Sequence, residues 1–300
     1  MSERTPLRGP GLGVSASHSI DPSTTTVQRI HPDPVTPSSL VMLIALGDTH
    51  GDLAPVFEAA RLEPEAGALL QVGDLTAGKA GRETRPDDDP AELEALPMPL
   101  VWVHGNHEHW HLLGLWEDES GNVTRARPKS GLGGEPGKGF LRHLLFPGTR
   151  FVVPDTEIDV IGIPGNYAPT WYDREKPFPG DRVRHFNVAD VAAMDAFERP
   201  SVLLMHESFR GQAPGRIGMM GIPVLSGVVR RTRPQVCLTG HHHAFAVTEK
   251  THEGQVTRCF SLPRAQHGYT RLYFAPDGEF LSWEYVPFDP NDPEPRATPD

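Results

Sequence analysis

Three apolar runs of strand length each end on a glycine followed by a polar side chain, and this pattern constrains the fold more than any other feature. Residues 40–46 lead into Gly47-Asp48, 68–72 into Gly73-Asp74, and 100–104 into Gly105-Asn106. A run that is apolar without alternation is a strand buried on both faces. Between the first two runs, Leu53, Val56, Phe57, Ala60 and Arg61 share the spacing of one helical face. A short helix is expected at 91–96, ahead of the third run. Strand and helix in alternation predict an α/β layering, in which ligand-binding groups collect beyond the carboxyl ends of the strands.

The second half is richer in strands, expected at 150–153, 157–163, 201–205, 235–239, 245–248, 256–261, 269–274 and 280–286. Helices are expected at 188–197 and 224–231, so the whole reads as two facing mixed sheets with helices outside. The 30 Gly and 31 Pro concentrate outside these elements. Residues 1–39 read as a disordered Pro/Ser/Thr-rich leader, 40–286 as one domain with a Gly-rich insertion near 117–139, and 287–300 as an acidic, Pro-rich tail.

Charge and cysteine content exclude several classes. At a formal −11 the chain is a poor non-specific ligand for a nucleic-acid backbone, so nucleic acid is expected only as a substrate. Cys237 and Cys259 build no disulfide framework and fit a reducing compartment. No signal-peptide pattern opens the chain, and no apolar stretch reaches the roughly 18 residues of a membrane span. A cytoplasmic protein without membrane attachment is the expectation.

The strand ends carry the chemistry. Asp48 and His50 are one residue apart, which in an extended chain turns both towards one side. The two oxygens of Asp74 allow it to bridge two cations. Asn106 offers a neutral amide oxygen beside His107, an imidazole that holds or releases a proton near neutrality. His206 closes the strand 201–205, and Gly240-His241-His242-His243 closes 235–239. With period-two alternation His241 and His243 share a face, and His242 is left over. A lone Asp-x-His or Gly-Asp is usually a turn or a cap; the set together points to metal. Two Asp, one Asn and four His, without thiolate, favour manganese, iron, zinc or nickel over calcium or magnesium. Seven ligands exceed the needs of one tetrahedral ion and suit two divalent ions sharing Asp74.

In order, the Asp-x-His, Gly-Asp, Gly-Asn-His-Glu, Met-His and Gly-His-x-His blocks resemble those of the calcineurin-like metallophosphoesterase superfamily, over about 43–244. The resemblance implies an α/β (α+β) fold, a four-layer sandwich of two mixed β-sheets flanked by helices. It implies Asp48, His50 and His243 at one metal, Asn106, His206 and His241 at the other, and Asp74 between them, with manganese the first choice. It also implies a phosphoester substrate, a hydroxide held between the ions as nucleophile, and His107 as general acid, oriented by Glu108 or Asp52.

Phosphoprotein phosphatases of this superfamily carry an arginine in the second block and another soon after the third. Here the second block reads Gly73-Asp74-Leu75-Thr76-Ala77-Gly78, and His109-Trp110 follow Glu108. Without two bidentate phosphate clamps, a typical Ser/Thr protein phosphatase is not expected. The first expectation is a phosphodiesterase acting on nucleotide or nucleic-acid-type substrates. The alternatives are a phosphomonoesterase, including an unusual protein phosphatase, and a non-catalytic scaffold of the same fold. Arg210, Arg264 and His267 are candidate phosphate contacts. Tyr167 is a candidate for stacking on a base, with packing against the second sheet as the competing role.

Overall fold

The computed structural model describes residues 40–76, 90–108, 115–117, 123–125, 143–176, 178, 180–212, 214–215, 218–219 and 221–291. The expected leader 1–39, most of the 117–139 insertion and the last nine residues of the tail lie outside the described residues. In chain order come β1 (Val41–Leu46), α1 (Ala54–Leu62), β2 (Ala68–Gln71), β3 (Leu100–Trp102), β4 (Leu115–Glu117) and β5 (Val123–Arg125). They are followed by β6 (Arg150–Val152), β7 (Asp159–Ile163), α2 (Pro169–Tyr172), α3 (Val188–Ala193) and β8 (Val202–Met205). The remainder is β9 (Pro214–Gly215), β10 (Gly218–Met219), α4 (Pro223–Thr232), β11 (Val236–Thr239), β12 (Ala246–His252), β13 (Gln255–Ser261), β14 (Gly268–Phe274) and β15 (Phe280–Pro287).

Two mixed sheets result. The first, in the order β15-β14-β1-β2-β3, keeps β1, β2 and β3 parallel and adds β14 and β15 antiparallel. The second, in the order β12-β13-β11-β8-β7-β6, has a parallel centre and an antiparallel strand at each edge. Pleating sorts the apolar runs between layers. Leu43 and Ala45 face the second sheet's Val202, Leu204, Val236 and Leu238, while Ile44 and Leu46 turn the other way onto Val56, Ala59 and Ala60 of α1. On the far side of the second sheet, Leu203, Met205 and Cys237 pack on Leu225, Val228 and Val229 of α4. The layers are therefore helix, sheet, sheet, helix, and strands buried on both faces explain the unbroken apolar runs.

The helices are short and cued by sequence. Proline occupies the first turn of α1 and of α4. Asn187 and Asp190 close a reciprocal capping box on α3. The expected helix at 91–96 is a 3-10 turn, Pro90–Ala95. No described helix is long and apolar enough to cross a membrane.

Candidate metal centre

β1, β2, β8 and β11 run parallel within their sheets and end side by side, so the blocks that follow them meet. Asp48 Oδ2 lies 3.0 Å from His243 Nε2 and 4.0 Å from His50 Nε2, and the two imidazole atoms are 3.0 Å apart. With bonds of about 2.1 Å, the two 3.0 Å separations match the edges of a coordination shell and the 4.0 Å one approaches its trans span. In the second group, His206 Nε2 lies 2.9 Å from Asn106 Oδ1 and 3.6 Å from Asp74 Oδ1. The other oxygen of Asp74 faces His50 Nδ1 at 3.9 Å. Asp74 thus turns its two oxygens towards different histidines, and Asp48 is common to both groups, lying with His50 and His243 in one and with Asp74 and His206 in the other. Asp48 and Asp74 are 0% and 1% exposed, a burial that ionised carboxylates tolerate only with cationic or hydrogen-bonding partners.

The ligand atoms are held by their surroundings. His206 Nδ1 is 3.0 Å from the Val72 carbonyl, which can only accept, so the hydrogen sits on Nδ1 and Nε2 is left to ligate. Gln71, fully buried, donates to the carbonyls of Gly47 and Gly73 and accepts from the Gly73 N–H, tying the first block to the second. Thr49 Oγ1 donates to the carbonyls of Asp74 and Leu75. Gly105 allows the close approach of the third block: a Cβ there would fall 2.0 Å from Asp74 Oδ1.

The expected geometry of two blocks needs correction. His50, His241 and His243 have φ of 52°, 65° and 52°, and Asp74 has 53°; these are left-handed turns, not extended strand. Asp48, His50 and His243 therefore converge through turns rather than through pleat alternation. Half of the eight described non-glycine residues with positive φ are these four, which concentrates backbone strain at the centre.

His241 stands beside the two groups and outside both. Its N–H donates to Asp48 Oδ2 at 3.0 Å, its ring lies 5.0 Å from the His206 ring, and its Nε2 is 3.9 Å from Glu207 Oε2. Glu207 was not among the sequence candidates. It is 6% exposed and also holds His242, with 3.3 Å between Oε1 and Nε2. Its only signal in the sequence is an acid next to His206 at a strand end.

His107 is half-buried at the rim, its N–H donating to Asp74 Oδ1 at 2.7 Å and its ring 5.6 Å from that of His50. Neither carboxylate expected to orient its imidazole does so. Glu108 accepts hydrogen bonds from the N–H groups of Leu75, Thr76 and Gly105 and from the Thr76 hydroxyl, clamping the second block to the third. Asp52 accepts from the Ala54 N–H and from Gln266.

Among the candidate substrate contacts, Arg264 reaches the centre, its Nε donating to His243 Nδ1 at 3.2 Å. His267 ends the 3-10 turn that begins just after Arg264. Tyr167 packs on Tyr172 and Phe186 at the outer core of the second sheet, the competing role. Arg210 opens onto a cavity that shares no residue with the centre.

Electrostatics favour cation binding. Burial pulls His50 and His241 below the ordinary imidazole value, leaving neutral rings with a lone pair to give. Burial pushes the Asp48 carboxyl up, but the hydrogen bond from His243 and the nearby His206 outweigh it and hold the group at about 2. Burial likewise lowers His206, yet Asp74, Asp48 and Glu207 together raise it. Burial, with Asp74 alongside, pushes Glu108 up to about 7. Hard carboxylate and amide oxygens mixed with borderline imidazoles, around ionised and buried carboxylates, fit a pair of divalent transition-metal ions.

Two facing mixed sheets with a carboxylate–histidine centre at their strand ends define a class of metal-binding α/β sandwich. Within that class the chain belongs to the calcineurin-like phosphoesterase family, whose model matches residues 42–245. Membership implies hydrolysis of phosphoesters. No curated protein matches the chain. Among solved structures, TT1561 of Thermus thermophilus is similar with a TM-score of 0.50 and 12% identity, over 83% of this chain and 99% of that one. A 5'-nucleotidase precursor, also from Thermus thermophilus, gives a TM-score of 0.46 and 15% identity, over 82% of this chain and 54% of that one. The first of these likenesses shows the fold.

Proposed function

We propose that the chain is a metal-dependent phosphodiesterase acting on nucleotide or nucleic-acid-type substrates. The observation that carries this reading is the convergence of Asp48, His50, His243, Asp74, His206 and Asn106 into two adjoining ligand groups, with His107 on their rim. Asp48, His50 and His243 would hold one ion and Asn106 and His206 the other, with Asp74 between; His241 would complete the second group. Divalent ions bound there, manganese first, supply Lewis-acid polarisation of the phosphoryl group and activation of water.

The chain's own residues do the rest. His107, whose N–H is anchored to Asp74, would give a proton from its ring to the departing alkoxide oxygen. Glu108 keeps the second and third blocks in register, so Asp74 and His107 move as one piece. Arg264 is the guanidinium brought to the centre, its Nε 3.2 Å from His243 Nδ1, and it would contact a phosphate oxygen. A diester carries one charge fewer than a monoester, and a centre with Arg264 in place of the two family arginines suits it.

The test is a comparison of bis-p-nitrophenyl phosphate with p-nitrophenyl phosphate on manganese-loaded protein. The diester is expected to give the higher kcat/KM. A monoester preference of tenfold or more would overturn the substrate assignment.

A further inference from the structure

A cavity of about 360 Å3 lies between α4 and β12, lined by Phe209, Arg210, Ser226, Arg230, Lys250 and His252 among others. None of these is a ligand of the metal centre, and no described acidic residue lines the cavity. We infer that it is a second binding site, for a small phosphate-bearing anion.

The chain has 39 acidic residues against 28 basic ones, so a basic side chain on its surface readily finds a carboxylate. Those close by in sequence have done so: Arg231 pairs with Asp195, Arg233 with Glu198 and Glu253, and Arg258 with Glu249. Arg210, Arg230 and Lys250 form no ion pair among the described residues, although they line one cavity. Like charges gathered without a counter-charge repel, and a bound anion removes that cost.

Two further features fit an anion. Lys250 Nζ lies 5.8 Å above the Phe209 ring, which places the ammonium at the cavity instead of leaving it to sweep through solvent. The Ser226 hydroxyl, turned away from solvent at the cavity wall, has no hydrogen-bond partner among the described residues, and a rotamer change towards the cavity would let it donate to a phosphate oxygen. Guanidinium groups favour phosphate because their paired N–H donors match its oxygens. The size is that of a small-molecule site, not of a docking face for a macromolecule. This inference does not depend on the reaction catalysed at the metal centre.

Inorganic pyrophosphate is the probe. Titration calorimetry of the full chain in chelator and low salt is expected to show saturable one-to-one binding. In an Arg230→Gln/Lys250→Gln variant the Kd should rise at least tenfold, while Lys250→Arg should keep binding within about threefold and show that the site tolerates the exchange. Arg264→Gln, at the metal centre, should leave the Kd unchanged, and citrate should bind several-fold more weakly than pyrophosphate. An unchanged Kd in the double variant with a preserved unfolding midpoint, or binding lost through Arg264→Gln alone, would overturn the site. Equal affinity for citrate would overturn the assignment to phosphate.

Discussion

His107 touches Asp74 through its backbone and faces His50 through its ring, so its loss should remove a proton donor without dismantling the ligand groups. His107→Ala is expected to lower kcat about 100-fold or more while metal content is kept, checked by rate and metal analysis on the same sample. Glu207 is proposed to act one step further out, behind the histidine block. Its oxygens face the rings of His241 and His242, and carboxylates in that relation orient histidine ligands. Glu207→Ala is expected to weaken manganese binding about 10-fold to 100-fold, with Glu207→Gln retaining more than Glu207→Ala. Equal manganese affinity in wild type and Glu207→Ala would show that the carboxylate has no such role.

At the scale of elements, the strand ends are the organising feature, and they were legible because buried strands read as apolar runs cut off by glycine. Leu43–Leu46 and Val202–Met205 announce both their position and their burial. The turns beyond them were not legible. Left-handed backbone at His50, Asp74, His241 and His243 has only a weak signature, since Asp and His are enriched there but far more often sit elsewhere, and it is imposed by contacts such as the bond from the His50 N–H to the Asp74 carbonyl. For the same reason pleat alternation grouped His241 with His243, although the structure sets the His241 ring against Glu207 instead. Arg264 was visible only as a basic residue after a strand; the parallel pairing of β13 with β11 brings that strand end to His243. Local helix signals were reliable where the side chains speak directly to the backbone. Asn187→Ala, which removes the side-chain half of the α3 capping box and keeps the backbone N–H that donates to Asp190, is expected to cost about 1 kcal/mol in urea unfolding.

For the molecule as a whole, the buried histidines set the response to acid. Burial pulls His104 down to about 3, whereas the unfolded chain protonates near 6.5. Below pH 6.5 this ring therefore takes up a proton in the unfolded state that it refuses in the folded one, and its contribution to stability falls as pH drops from 6.5 towards 3. His50 and His241, also lowered, act in the same direction. For His104 alone the loss is about 1.4 kcal/mol per pH unit. Glu108, pushed up to about 7, takes up its proton in the folded state and offsets His104 between pH 7 and about 4.5, so metal-free protein should show a lower urea midpoint near pH 3.5 than near pH 4.5, and equal midpoints there would contradict the burial of these rings. The central claim, a centre that binds two divalent ions through a shared Asp74, is tested most directly by counting bound manganese after equilibrium dialysis. Two ions per chain are expected in the wild type, falling to one or none in Asp74→Ala with the fold intact by circular dichroism. No more than one ion in the wild type at saturating manganese, or two retained in Asp74→Ala, would contradict it.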